Sequence, residues 1–408
     1  MSICPLHTKK FTGTRPQYEL ADILKRYLPL YLKSHRISPW QHKILNAIQI
    51  CRTAACGGHI EVCDHCAYMQ PAYNSCHNRH CPKCQGIAMR KWIEERLQEL
   101  LPVPYYHVVF TLPHRLNTLA LYNKRLIYNL FYHAAAYTLL KFGKDPKYLG
   151  AQLGFTGVLH TWGKALCYHI HWHFIVPGGG LTEDGKWITL PYSDDFLFPV
   201  TAMSKVVRAR FIKLFRKAYN AEKIVIPDKC ESLHSPVMFE YFLNDLASDQ
   251  WINYVKKPFG GPAQVVNYIG RYTHKVAISN HRLIDIEGGK IRFYVKNYKK
   301  NGELEATVLS ANEFIRRFLL HILPKRFRKI RYGGFLAQAI RKKKLEMARQ
   351  ALGVEENDVP VTFYNDGNSN REIDEHTKCP KCSIGTMRFL NTITDNTDVN
   401  WRKLINSS

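Results

Sequence analysis

Residues 157–180 read GVLHTWGKALCYHIHWHFIVPGGG, and this stretch decides the fold that we expect. Its aromatic and β-branched residues predict two strands, which form a hairpin from Phe155 to Val176 with a turn at residues 162–164. The glycines of residues 178–180 are expected to end the second strand. The sequence therefore predicts a sheet with a hairpin near its centre.

Three histidines lie on the second strand of this hairpin, at His169, His171 and His173. Residues two apart on a strand point to the same face, so the three imidazoles share one side. On a strand that Phe174 and its neighbours bury, each imidazole would otherwise need a polar partner of its own. We therefore favour a metal site. His160, on the preceding strand, could reach the same ion, and strand geometry leaves the third ligand open between His160 and His169.

A cysteine-rich segment precedes the hairpin, with seven of the 12 cysteines between Cys51 and Cys84. Two CxxC pairs mixed with histidine are typical of zinc sites, because a two-residue gap lets both thiolates reach one tetrahedral ion. Four protein ligands leave no position for a substrate, so the role is structural. We predict two Zn²⁺ ions, with the ligands Cys51, His59, Cys63 and Cys66 in one half and Cys76, His80, Cys81 and Cys84 in the other. A separate Cys379-x2-Cys382 lacks a second pair and is left without a role.

Two tyrosines stand four residues apart in NYIGRYTHKVAISN, residues 267–280. On a helix, Tyr268 and Tyr272 would project from one face beside Arg271 and Lys275. Such a pair is by itself more often packing than chemistry. A phenol attacks a phosphodiester only with the help of a metal or a positive field, and the histidine strand could supply that metal.

The composition favours a polyanionic partner. The 408 residues include 58 Lys and Arg against 33 Asp and Glu, a net charge of +25, which points to nucleic acid. Residues 313–349 carry 12 Lys or Arg against two Glu and have a helical pattern, so we expect this segment to bind phosphates. No apolar run approaches the ~18 residues of a membrane span, and the N-terminus lacks the apolar core of a signal peptide. We expect a cytoplasmic, nucleoid-associated protein.

The remaining patterns complete an α+β order of elements. Helices are predicted at residues 18–33, 40–50, 87–101, 117–142, 203–220, 237–256 and 262–273. A buried strand is predicted at residues 107–112, and turns at Gly288-Gly289 and Asn301-Gly302 indicate further hairpins. The predicted domains are an N-terminal helical region (1–50), a zinc module with its following helix (51–100), a catalytic domain (101–310), a basic helical region (311–352) and a loosely ordered polar tail (353–408).

Four blocks of the sequence resemble the rolling-circle transposases of the insertion sequence 91 family, which belong to the HUH (His-hydrophobe-His) single-strand endonucleases. They are NSCHNRHCPKCQ, the hairpin GVLHTWGKALCYHIHWHFIVPGGG, YIGRYTHKVAISNHRL and EFIRRFLLHILPKRFRKIRYGGF. The resemblance spans roughly residues 40–340. It implies a central antiparallel-sheet HUH-type nuclease domain with flanking helices, preceded by a small zinc-binding module.

The resemblance also implies site residues and chemistry. His171-Trp172-His173 would hold a divalent ion, Mg²⁺ or Mn²⁺, although imidazole ligands alone favour a softer ion. Tyr268 and Tyr272 would be the nucleophiles that cleave single-stranded or hairpin DNA at transposon ends and join it to target DNA. The candidate DNA-binding residues are Arg271, Lys275, Arg316, Arg317, Lys325, Arg326, Arg328, Lys329 and Arg331.

Two other functions fit parts of the pattern. A plasmid relaxase or replication initiator would use the same chemistry on another substrate. A zinc-dependent DNA-binding regulator would bind intact duplex without catalysis, and it would leave the histidine strand and the paired tyrosines unexplained.

Overall fold

The computed structural model describes residues 16–190, 197–256, 266, 270, 273, 276–297, 302–354 and 378–393. The chain divides into two compact units, each built from separate stretches of sequence. Unit 1 comprises residues 1–88, 278–319 and 362–408, and unit 2 comprises residues 89–277 and 320–361. This division is discontinuous, whereas the domains predicted from the sequence follow one another along the chain.

The described residues form nine α-helices and thirteen strands. The helices are α1 (Leu20–Ser34), α2 (Pro39–Ile50), α3 (Pro82–Leu97), α4 (Asn117–Tyr122), α5 (Lys124–Lys144), α6 (Val200–Asn220), α7 (Pro236–Ser248), α8 (Ala311–Leu320) and α9 (Arg341–Ala351). The strands are β1 (Gly58–Cys63), β2 (Met69–Tyr73), β3 (Tyr105–Thr111), β4 (Gln152–Trp162), β5 (Tyr168–Pro177), β6 (Gly179–Leu181), β7 (Trp187–Thr189), β8 (Asn253–Lys256), β9 (Leu283–Asp285), β10 (Lys290–Asn297), β11 (Glu303–Ser310), β12 (Ile330–Gly334) and β13 (Met387–Ile393).

Unit 2 is built on a seven-stranded sheet of order β7-β6-β4-β5-β3-β8, with β12 also paired to β4. The pairings are antiparallel. Alternate side chains of β5 face opposite ways. Trp172 and Phe174 enter a large apolar core with Phe131 of α5 and Phe211 of α6. The predicted α+β class with a central antiparallel sheet and flanking helices is confirmed.

The β4–β5 hairpin carries the histidines and matches the prediction closely. Its connection spans residues 163–167, where Ala165 and Leu166 adopt left-handed backbone angles (φ 52° and 59°). β12 pairs with the edge of β4 opposite β5. Its Gly334 has φ +61°, and a Cβ there would lie 1.6 Å from the Leu153 carbonyl oxygen. Only glycine fits this close approach of two strands.

Several predicted elements of unit 2 were wrong in extent. The helix predicted at 237–256 ends at Ser248, and the sequence after it forms β8, which pairs with β3. The helix predicted at 117–142 breaks at Asn123, whose side chain bonds the backbone N–H and C=O of Val225 at 2.8 and 2.7 Å. By contrast, the glycines after Pro177 end β5 as predicted, and a further short strand, β6, follows and pairs with β4 and β7.

The basic segment 313–349 is not one helix. It holds most of α8, then β12, then most of α9. Ile330 of β12 pairs with Val158 in the centre of the sheet, which a helix-like count of apolar positions could not indicate.

Unit 1 contains the helices α1, α2 and α8 and two three-stranded sheets, β13-β1-β2 and β11-β10-β9. The helix α1 is anchored within the unit, since Tyr27 donates to the carbonyl of Ile286 at 2.7 Å. Gly288 and Gly289, both at positive φ, form the predicted turn between β9 and β10. The predicted loose tail was wrong for residues 387–393, because β13 pairs along the whole of β1.

No helix in the described part of the chain is both long enough and apolar enough to cross a bilayer.

Candidate functional site

Three histidines converge on the face of the sheet opposite the large core. One nitrogen each from His160, His171 and His173 lies within 4.8 Å of the others. The register explains the arrangement: His160 of β4 sits directly opposite His171 of β5, and His173 is the next residue of β5 on that face. Of the two histidines left open by the sequence, His160 is the one that the structure groups with the pair.

The hydrogen bonds of the cluster leave ring nitrogens for an ion. His171 Nδ1 donates to the His169 carbonyl at 3.0 Å, which directs Nε2 towards the cluster. His173 Nδ1 is bonded to His107 Nε2 of β3 at 2.7 Å. His173 Nε2 is buried and has no hydrogen-bond partner among the described residues. A buried nitrogen of this kind fits a metal ligand, so the residues suit a divalent ion.

Burial also sets the protonation state. Desolvation lowers the pKa of His171 to about 3, and it lowers the pKa of His173 well below the usual 6.5, with a further contribution from His160. Both imidazoles are therefore neutral at pH 7, as metal ligation requires.

His169, the other candidate, belongs to a different contact. Its Nδ1 lies 2.8 Å from His114 Nε2, and it is not grouped with the three convergent histidines. Burial, followed by the neighbouring His114, lowers its pKa. His107 was missed from the sequence. The apolar pattern of residues 107–112 predicts a strand, but it does not show that this strand pairs with β5 and so places His107 beside His173.

Within the tyrosine segment, residues 267–280, the structure describes residues 270, 273 and 276–280. Tyr268, Tyr272, Arg271 and Lys275 lie outside the described residues. Val266, which directly precedes this segment, is buried in a second apolar cluster with Val158 of β4 and Ile175 of β5. Ile175 follows His173 by two residues, so this cluster adjoins the histidine face.

Gly270 lies in close contact with α3. A Cβ at this position would come within 2.3 Å of the Ile93 side chain, so only glycine permits this close approach of residue 270 to that helix.

A first group of four cysteines consists of Cys51, Cys76, Cys81 and Cys84. The Cys84 sulfur lies 3.6 Å from the sulfurs of both Cys51 and Cys76. A tetrahedral site with Zn–S bonds of about 2.3 Å has S···S edges of about 3.8 Å, so the spacing suits Zn²⁺. Hydrogen bonds from neighbouring thiols, that of Cys81 first, lower the pKa of Cys84 to about 4.

A second group joins Cys63 and Cys66 to Cys379 and Cys382, from opposite ends of the chain. The Cys63–Cys382 and Cys66–Cys379 sulfurs are 3.7 and 3.6 Å apart. Backbone N–H groups, that of Gly385 first, lower the pKa of Cys382 to about 6. β13 follows this second pair and extends the sheet beside β1, so the two CxxC pairs are held together by strand pairing.

The predicted ligand groups therefore need correction. Neither His59 nor His80 lies in a four-cysteine group. His59 Nε2 is 3.2 Å from the Glu61 carboxylate, and His80 Nδ1 is 3.0 Å from the Asn78 side-chain oxygen. Cys51, predicted with Cys63 and Cys66, instead completes the other group in place of His80, and the unassigned Cys379–Cys382 pair completes the group of Cys63 and Cys66. Its signal was present in the sequence as a CxxC spacing, but strand pairing across more than 300 residues was needed to match it with residues 63 and 66.

Two family models match the chain. One, described as "Transposase zinc-binding domain", matches residues 23–112, and the other, described as "Putative transposase", matches residues 154–344. A relative from Sinorhizobium fredii, "Putative transposase y4qJ", is 43% identical over 90% of this chain and 94% of its own length. The chain belongs to the insertion sequence 91 family of transposases.

A second relative of this transposase is "Transposase for insertion sequence element IS801" from Pseudomonas savastanoi pv. phaseolicola. It is 32% identical over 73% of this chain and 68% of its own length. No solved structure matches the transposase. The two cysteine groups, of which six residues lie within the matched zinc-binding region, are consistent with two bound Zn²⁺ ions.

The cations predicted to bind DNA differ in their surroundings. On α8, Arg316 and Arg317 both form ion pairs with Glu313 at 2.6 Å. Of the cations after α8, Lys325, Arg326 and Arg328 are exposed.

Lys329 and Arg331 are packed among aromatic rings. Lys329 is buried, with its ammonium 4.9 Å from the centre of the Trp162 ring. The Arg331 guanidinium lies over Tyr132 and Trp172 at 4.7 and 5.4 Å. These contacts tie β12 to the hairpin, so both cations have a structural role in the transposase.

Proposed function

We propose that this transposase cleaves and rejoins single-stranded transposon DNA through a phosphotyrosine intermediate. The observation that carries the proposal is the convergence of His160, His171 and His173, in which His171 and His173 are held neutral by burial and His173 has a buried nitrogen without a hydrogen-bond partner among the described residues. The family match across residues 154–344, which include Tyr268 and Tyr272, supports the assignment of the nucleophiles.

The histidines would hold a divalent ion, Mg²⁺ or Mn²⁺, which supplies positive charge to a phosphodiester. The phenol of Tyr268 or Tyr272 loses its proton and attacks the phosphorus. A tyrosyl–phosphate bond forms and the bond between phosphorus and the 3′ oxygen breaks. The 3′ oxygen takes up a proton, which offsets the one released by the phenol, and becomes a free 3′-OH.

The intermediate conserves the phosphodiester energy, so a 3′-OH can reverse the reaction without ATP. Two tyrosines allow two successive transesterifications, one for each end of the element. The substrates proposed are single-stranded or hairpin DNA at the transposon ends and the target DNA.

His107 has a supporting part. Its bond to His173 Nδ1 fixes the orientation of that ring, as second partners of ligating histidines do. The Cys₄ sites are structural, because four thiolates complete the tetrahedral shell of Zn²⁺.

The test is covalent capture. Single-stranded oligonucleotides that carry candidate ends are incubated with the full chain and Mn²⁺ or Mg²⁺, and the products are separated on a denaturing protein gel. We expect a slowly migrating, metal-dependent adduct that disappears in Tyr268→Phe/Tyr272→Phe.

A matched double variant, Tyr122→Phe/Tyr241→Phe, removes two exposed hydroxyls of the same unit and should keep the adduct. If the wild-type chain forms no adduct on any end yet binds duplex tightly, the proposal is wrong and a non-catalytic DNA-binding role replaces it.

A further inference from the structure

The helix α6 has one apolar face and one strongly basic face. Met203, Val207, Phe211 and Phe215 enter the large core. The rest of the helix carries six cations and no acidic residue: Lys205, Arg208, Arg210, Lys213, Arg216 and Lys217. A solvated helix surface normally mixes both signs of charge, so this face indicates an anionic ligand.

All six cations line one groove. Its volume is 980 Å³, and none of the described residues that line it is aromatic. Sites for single-stranded nucleic acid combine cations with aromatic rings on which bases stack. A basic groove without rings instead suits the phosphate backbone of a duplex, whose bases stay stacked on each other.

Three of the six cations, the arginines, already contact other residues of the transposase. Arg216 is paired with Glu240 at 2.7 Å, Arg208 donates to the Asp249 carbonyl at 3.2 Å, and the Arg210 guanidinium lies 4.4 Å from the centre of the Tyr137 ring.

Lys205, Lys213 and Lys217 are exposed, and no ion pair with a described residue involves them. From Lys205 to Lys217 the helix rises about 18 Å, a length over which a duplex carries roughly ten phosphate charges.

The groove is remote from the histidine cluster. The apolar face of α6 shares its core with Trp172 and Phe174 of β5, whereas His171 and His173 alternate with them and face the other side of the sheet. DNA bound along α6 therefore lies behind the sheet, and it is a different segment from a strand at the histidines.

We propose that the basic face of α6 binds the backbone of duplex DNA while the histidine face handles a single strand. The single strand at the histidine face rests on the proposed function, whereas duplex binding by α6 does not. A transposase that joins a cleaved strand to other DNA needs both kinds of contact, and the two faces of the sheet separate them.

The experiment compares the full chain with Lys205→Ala/Lys213→Ala/Lys217→Ala. Affinity for a 30-base-pair duplex and for a single strand of the same length is measured by fluorescence anisotropy over a range of salt concentrations. The slope of log K against log[salt] is negative, and loss of three phosphate contacts should make it shallower by about 2.7 for the duplex. The slope for the single strand should change little.

The matched control is Lys141→Ala/Lys144→Ala/Lys147→Ala, which removes three exposed lysines outside the groove. It should keep the wild-type slope. An unchanged duplex slope in the α6 variant, or an equal loss on both DNAs, overturns the inference.

Failure of the proposed function would give a different result. The α6 variant should still form the tyrosine adduct on short single strands, whereas the Tyr268→Phe/Tyr272→Phe chain should lose the adduct and keep duplex binding. If wild-type chain forms no adduct but the α6 variant loses its duplex slope, the duplex surface stands and the cleavage chemistry falls.

Discussion

The pairing of Cys63 and Cys66 with a CxxC near the other end of the chain can be tested by counting zinc. Cys379→Ser/Cys382→Ser removes two of the four sulfurs of the second group and leaves the first group intact. Since a hydroxyl is a poor substitute for a thiolate ligand, zinc should fall from two ions per chain to one.

The magnitude follows from the coordination geometry. The sulfurs are 3.6 and 3.7 Å apart, close to the edge of a ZnS₄ tetrahedron, so the intact site should bind with the roughly 10–16 kcal/mol typical of structural zinc. With two sulfurs removed, the site should not retain Zn²⁺ through gel filtration in the presence of a chelator. β13 would then lose the metal that holds its start beside β1.

The assay is elemental analysis of purified chain, with Cys56→Ser/Cys230→Ser as the control. Both control cysteines are free and lie in neither four-cysteine group, so this variant should keep two zinc ions. Two ions in the Cys379/Cys382 variant would contradict the structure and favour the grouping by sequence proximity, in which histidines complete both sites.

Other consequences concern the histidines. His160→Ala should abolish metal-dependent cleavage at limiting Mn²⁺ while His169→Ala keeps most of it, and equal effects in a cleavage assay would count against the observed grouping. His107→Ala should lower metal affinity by about 10–100-fold, because the hydrogen bond that orients the His173 ring is lost. Mn²⁺ titration of cleavage measures this affinity. Burial lowers the pKa of His321 to about 3. Between that pH and the ordinary histidine pKa of about 6.5, the unfolded state therefore binds more protons than the native state. The free energy of unfolding should fall by about 1.4 kcal/mol for each unit by which the pH drops in this range. Urea melts at several pH values should show a shallower acid slope in His321→Gln, whereas the exposed His234→Gln should keep the wild-type slope.

The sequence predicted the hairpin and its histidine face because both depend on local patterns. A period of two fixes which side chains of β5 share a face, and the same count separates His171 and His173 from Trp172. The choice of His160 as the third member depends on register between β4 and β5, which the turn leaves undecided by a residue or two.

The predictions that failed depend on contacts between distant segments. Neither the pairing of β12 with β4 nor that of β13 with β1 has a local signal strong enough to identify the partner. The ligands of the second cysteine group follow from the latter pairing. For Arg331, a count of charges likewise cannot show the aromatic rings that the fold places beside its guanidinium.

The central claim is that a tyrosine of the segment 267–280 becomes joined to DNA. The most direct measurement is mass spectrometry of the adduct after nuclease and protease digestion. We expect a peptide whose Tyr268 or Tyr272 carries a 5′-linked nucleotide, formed only with divalent metal and absent from His171→Ala/His173→Ala. A nucleotide attached to any other residue, or an adduct that forms equally well without these histidines, would contradict it.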